Sequence, residues 1–168
     1  MKRQTTRKRS AQRKPKKDRR FVARILVPID FSESSKDALK YAVRFAKQFG
    51  AELILVHIVE PTVYPADFSF AQVGFPNIDE ELRNESAEKL SQLVDEIMEE
   101  VSARSVVRTG KAFLEIIGVA KEEAVDLIIM ATHGHTGVEH ILFGSTAEKV
   151  VRKAPCPVLT VPPRGGLG

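Results

Sequence analysis

The chain alternates between short, nearly continuous apolar runs and longer segments whose apolar residues recur at helical spacing. "VARILVPID" (22–30) is a run of the first kind, as expected for a strand buried on both faces. "FSESS" follows and offers Ser32 and Ser34 as helix N-cap candidates. Ala38, Leu39, Ala42, Val43 and Ala46 then repeat at helical spacing, and Gly50 stands where a C-terminal cap belongs. "AELILVHIV" (51–59) predicts a second buried strand. Residues 60–78 are the least regular internal stretch, with Pro61, Pro65, Pro76 and four aromatics; loops of that length are uncommon unless functional or mobile. From Asp79 a long helix is predicted, with Leu82, Leu90, Leu93, Val94, Ile97, Met98 and Val101 as one apolar stripe. "SVVRTG" (105–110) predicts a third strand, "AFLEIIGVAKEEA" (112–124) a helix and "DLIIMAT" (126–132) a fourth strand. A helix from about Gly144 to Lys153 and a fifth strand, "CPVLTVP" (156–162), complete the pattern before a frayed "PRGGLG" end.

Five strands alternating with four helices imply an α/β fold: a parallel sheet sandwiched by helices on right-handed crossovers. Open sheets of this kind bind ligands beyond the carboxyl ends of their strands, where the winding direction reverses. With strands 1 and 4 as neighbours at that switch, "PID" (28–30) faces "ATHG" (131–134).

That placement gives weight to "ATHGHTGVEHILFGSTAEKVV" (131–151), which carries three glycines and three histidines in its first fourteen positions. Gly134 follows the strand and Gly144-Ser145 opens the next helix, whose first-turn N–H groups and macrodipole suit an anion. Glycine lets the backbone approach a phosphate closely, and the Ser145 and Thr146 hydroxyls add donors. Plain turn residues would leave the same letters. Asp30, across the switch, is placed to accept hydrogen bonds from ribose hydroxyls, or else to cap the first helix or its turn. Metal is a poor fit: His133, His135 and His140 lack the H-x-x-x-H spacing, and His57 near the end of strand 2 reads as packed or hydrogen-bonded. Magnesium carried on nucleotide phosphates fits better than a dedicated site. No G-x-x-x-x-G-K-[ST], G-x-G-x-x-G or G-x-S-x-G is present, and Cys156 between Pro155 and Pro157 suits a structural position better than a nucleophile. No catalytic residue is assigned.

Charge changes the picture at one end. The first twenty residues hold eleven Lys/Arg and one acid, so the overall +4 leaves −6 for residues 21–168. A tail that polar cannot offset the entropy of ordering, and residues 1–21 are expected to be a disordered basic arm. It would serve as a solvated arm, touch nucleic acid or an anionic surface, or act as an organelle transit peptide; no interleaved aromatic offers a base-stacking surface. The composition, 43% hydrophobic and 29% charged, is ordinary for a soluble domain. No apolar run approaches a membrane span of ~20 residues, and the basic start reaches no signal-peptide core. One cysteine precludes an intrachain disulfide, so a reducing cytoplasm is expected.

"RILVPIDFSESSKDALKYAV" and "DLIIMATHGHTGVEHILFGSTAEKVVRKAPCPVLTV", in that order, resemble the universal stress protein family over roughly residues 23–162. The nucleotide-binding branch of that family carries G-x-x-G-x9-G-[ST]; here Gly134, residues 135–143 and Gly144-Ser145 match it, with Ala131 at the first position. The resemblance implies a Rossmann-like, adenine nucleotide alpha hydrolase-like sheet of strand order 3-2-1-4-5 in a domain spanning 22–163, with 164–168 a flexible C-terminus. It implies ATP or another adenine nucleotide as ligand, with Mg2+ or Mn2+ held through the phosphates. Pro28 and Ile29 would line the base pocket, the backbone of Ile58 would read the adenine edge, and Asp30 would hold the ribose near Ala131. Gly134, Gly144, Ser145 and Thr146 would grip the phosphates. A homodimer paired through the last strand, Pro157 to Val161, is also implied, which would cover an apolar edge.

These observations favour a cytoplasmic stress protein using the nucleotide as a regulatory or sensing ligand. A slow ATP hydrolase or phosphotransfer enzyme would need His133, His135 or Glu139 to position water. An adaptor would work through the basic tail.

Overall fold

A computed structural model of the chain describes residues 21–61, 78–133 and 143–163. Five strands, β1 (Arg24–Pro28), β2 (Glu52–Val59), β3 (Ala103–Thr109), β4 (Leu127–Ala131) and β5 (Val158–Val161), form one parallel sheet in the order β3-β2-β1-β4-β5. The helices are α1 (Glu33–Phe49), α2 (Ile78–Ile97), α3 (Ala112–Glu122) and α4 (Ser145–Lys153). The layering is that expected from the alternation of apolar patterns, and the strand order is the one the family resemblance implies. Residues 1–20 of the basic arm and the last five residues fall outside the described residues.

The continuous apolar runs follow from burial on both faces of the sheet. Successive side chains of a strand point to opposite sides, so Ile25 and Val27, Leu53 and Leu55, and Ile129 pack on the α1 and α2 side. Leu26, Ile54, Val56, Ile128 and Met130 pack on the α3 and α4 side with Ile116, Val119 and Val150. Helix α1 opens on Ser32, whose Oγ accepts the Ser35 N–H at 3.2 Å, and closes on Gly50 at φ 62°, a left-handed conformation that favours glycine. Ser34 lies inside the helix.

Most strands are shorter than the apolar runs that predict them, and four further differences are informative. Helix α2 ends at Ile97, and its stripe is buried only in its second half: Leu90, Val94 and Ile97 are buried, as is Val101 beyond the helix, whereas Leu82 and Met98 are exposed. The first turns of α2 do not lie on the core, so periodicity overstated the buried face. β3 starts at Ala103, ahead of the predicted Ser105, because backbone pairing of Ala103 with Leu53 does not require an apolar side chain at Arg104. β5 is confined to 158–161; Pro157 has no N–H for the ladder, although its carbonyl accepts from Ile128. Helix α3 stops at Glu122, followed by Ala124 at φ 47°.

At the amino ends of the strands, the Asp126 carboxylate accepts the N–H groups of Ala23 (2.8 Å) and Arg24 (3.0 Å), tying β4 to the start of β1. Arg104 bridges Glu52 and Glu123. The Arg104 hydrogen bond holds the Glu123 carboxyl below its usual range. A carboxyl with a depressed folded pKa adds stability that is present above its unfolded value and lost as pH falls through the folded one. Wild type is therefore expected to exceed Glu123→Gln in urea stability at neutral pH. The gap should close as pH falls below the ordinary glutamate range; a gap that is constant with pH would contradict the ion pair's role.

Candidate functional site

Strands β1 and β4 are adjacent, yet the helices that follow them, α1 and α4, pack on opposite faces of the sheet. The two connections diverge and leave a cavity of about 250 Å³ beyond the carboxyl ends of the strands. Pro28, Ile29 and Asp30 enter it from β1, Ile58 from β2, Ala131 from β4, and Gly144, Ser145 and Thr146 from the start of α4. Eight of the nine residues proposed from the sequence thus line one cavity. The ninth, Gly134, lies outside the described residues, as do His135, Glu139 and His140.

Asp30 lies in a tight turn two residues beyond the end of β1. Its Oδ1 accepts the Ser32 N–H at 3.0 Å and the Ser32 Oγ–H at 2.6 Å. The turn-capping role and the position on the cavity wall therefore coexist in one residue. Phe31 sits at φ 67°, a left-handed conformation costing a non-glycine residue about 1–3 kcal/mol unless its surroundings enforce it. The Phe31 side chain is packed where it stands: its ring lies 4.6 Å from the His57 ring, and the Lys89 ammonium of α2 is 6.0 Å from the Phe31 ring centroid.

At the opposite wall, Gly144 is the N-cap of α4 with an extended φ of −68°, so glycine is not required there for its conformational range. It is required for close approach. A Cβ at Gly144 would meet the Thr132 carbonyl oxygen at 3.2 Å. The Gly144 N–H donates to that same oxygen at 2.8 Å and so is not among the amides offered to a ligand. The amides offered are those of Ser145, Thr146 and Ala147, which precede the first intrahelical bond, from Glu148 N–H to Gly144 O. Together with the partial positive charge of a helix N-terminus, these donors and two hydroxyls suit an anion.

Several wall residues carried no recognisable signal. Val56, Met130 and Ile116 give the cavity an apolar lining, and Ala112 brings the start of α3 to its edge. The Ala112 N–H is occupied by the Glu60 carboxylate at 2.9 Å. His57 is hydrogen-bonded, as its place in β2 suggested, and it also lines the cavity. A polar residue interrupting the apolar run of β2 after Val56 was the available hint. Ala131 packs its side chain against the α1-side core. His133 lines the cavity with Nδ1 2.9 Å from Thr132 Oγ1. Among the described residues no group of three His, Cys, Asp or Glu side chains is placed to hold a metal ion.

The sequence profile of the universal stress protein family matches residues 22–162. The chain belongs to the universal stress protein family. A universal stress protein of Methanocaldococcus jannaschii, MJ0531, is 37% identical over 143 residues, covering 82% of this chain and 81% of that protein. A second from the same organism, MJ0577, is 33% identical over 151 residues, covering 82% and 93%. The solved structure of MJ0577 superposes with a TM-score of 0.74 at 31% identity, covering 86% of this chain and 99% of that one. A universal stress protein from Archaeoglobus fulgidus, solved in complex with dAMP, shares the fold at a TM-score of 0.60 and 24% identity, covering 83% and 98%. In this universal stress protein no helix among the described residues is long and apolar enough to cross a membrane.

Cys156 stands apart from the cavity wall. Burial pushes its thiol up, aided by the nearby Asp126 charge, which leaves little thiolate at neutral pH. Iodoacetamide is expected to label Cys156 several-fold more slowly in the folded protein than in urea at pH 7. Equal rates would mean that the thiol is activated rather than structural.

Proposed function

We propose that this universal stress protein binds an adenine nucleotide, ATP by its phosphate-facing donor set, as a regulatory ligand in the cytoplasm. The observation that carries this reading is the convergence of Asp30 with the first turn of α4 on one cavity. The apolar surfaces of Ile29, Val56, Ile58 and Met130 suit a purine. Asp30, on the cavity wall, accepts from the ribose hydroxyls. The Ser145 and Thr146 hydroxyls and the first-turn amides take the phosphates, with Mg2+ or Mn2+ held through those phosphates. Gly134 would join them by its match to the family motif. With its side chain against the core, Ala131 faces the ribose through main chain, and the extra methyl is expected to leave affinity nearly intact. Gain or loss of γ-phosphate contacts along 134–146 would then set which partner the protein engages. The domain that does this spans 22–163, with the basic arm outside it. That an Archaeoglobus fulgidus relative of the same fold holds dAMP accords with this reading.

Titration calorimetry tests it. ATP should bind the wild type, and Gly144→Val should lose at least about tenfold in affinity, because the added side chain pushes Thr132 and the α4 start apart where backbone and phosphate would meet. Equal affinity in both proteins would refute the site.

β5 forms one edge of the sheet, with Val158 and Leu159 half-buried in the single chain. We infer that it pairs with its twin in a second copy. Pro157 and Val161 turn their carbonyls to β4, so the backbone groups of Val158 and Thr160 face the open edge. Light scattering should give a dimer for the wild type and a monomer for a Thr160→Pro variant, which cannot donate from that edge; a monomeric wild type would contradict the pairing.

A further inference from the structure

We propose that His57 is a positioning residue of this site, holding Asp30 in register for a ribose diol by fixing the main chain on both sides of it. The proposal rests on the nucleotide-binding reading above and adds a residue to it.

Three contacts converge on the turn at 29–31. His57 Nδ1 lies 2.7 Å from the Ile29 carbonyl oxygen. A carbonyl only accepts, so Nδ1 carries the proton and donates. The Ile29 N–H in turn donates to Val56 O at 2.8 Å. Two consecutive residues of β2 thus hold both main-chain polar groups of the residue before Asp30. On the other side, the His57 ring packs on Phe31 at 4.6 Å with the rings 37° apart. Phe31 is the residue whose backbone adopts the left-handed φ of 67°. Asp30 sits between the two gripped residues, and its own Oδ1 is tied to Ser32. The carboxylate cannot swing without breaking one of these contacts.

β1 ends at Pro28, beyond which the β1–β2 ladder continues only through Ile29 N–H, so the turn has no further sheet bonds to steady it. His57 supplies what the ladder no longer does. Its ring, Ile29 and Asp30 all line the same cavity, so an error in the clamp reaches the ligand directly.

Two variants separate positioning from bulk structure. His57→Asn keeps an N–H donor at the position of Nδ1; His57→Leu removes it. Affinities for ATP and 2′,3′-dideoxy-ATP are measured by calorimetry for wild type and both variants, with melting temperature as the fold control. Wild type is expected to prefer ATP by about tenfold, the worth of a hydrogen bond to a charged group. The preference should fall to within about twofold of unity in His57→Leu and largely return in His57→Asn. A wild-type preference retained in His57→Leu overturns the proposal, as does a folded His57→Asn that does no better than His57→Leu. If the wild type binds no ATP, the nucleotide reading fails, and the clamp is judged on the unliganded protein by NMR. There, His57→Leu should shift the Ser32 amide signal and His57→Asn should return it; an unmoved signal overturns the clamp.

Discussion

The parallel pairing of β1 with β4 is the constraint from which the rest of the molecule follows. Ile25 and Leu26 sit in register with Leu127 and Ile128, at the centre of a sheet covered on both faces. Because α1 and α4 leave this pair toward opposite faces, the chain cannot close over the strand ends, and a cavity results from topology alone. The Asp126 carboxylate, bonded to the amides of Ala23 and Arg24, holds the same two strands together at their other end. The strands buried on both faces make this platform rigid, so the turn after β1 and the cap of α4 face each other at a fixed separation.

The walls of that cavity contain no lysine or arginine among the described residues. An anion here would be met by neutral amides, hydroxyls and a helix dipole whose effect is typically 0.3–1 kcal/mol and falls off within a turn. The clamp of His57 on residues 29–31 fits the same economy. With no cationic side chain to dominate binding, discrimination falls to the placement of one carboxylate.

The fold was legible because burial on both faces writes itself into sequence as unbroken apolar runs, and Ile25 to Val27, Leu53 to Val56 and Ile128 to Met130 show it plainly. Where the reading slipped, a tertiary fact outweighed the local pattern. Leu82 and Met98 share the helical period of Leu90 and Val94 but lie exposed, and Arg104 is polar yet pairs in β3 through its backbone. The cavity residues on β1 and α4 were legible because turn and cap chemistry is local: Asp30, Gly144 and Ser145 stand at strand and helix ends. Two features were not. The Gly144 amide is taken by Thr132, a contact set by how tightly the chain returns to β4. The bond of His57 to Ile29 joins residues 28 positions apart and has no local signature.

The most direct measurement is a crystal structure determined with ATP at saturating concentration. The expected result is the ribose within hydrogen-bond distance of Asp30, with phosphate oxygens at the Ser145 and Thr146 amides. A cavity left empty under those conditions, or a nucleotide bound elsewhere on the molecule, would contradict the account.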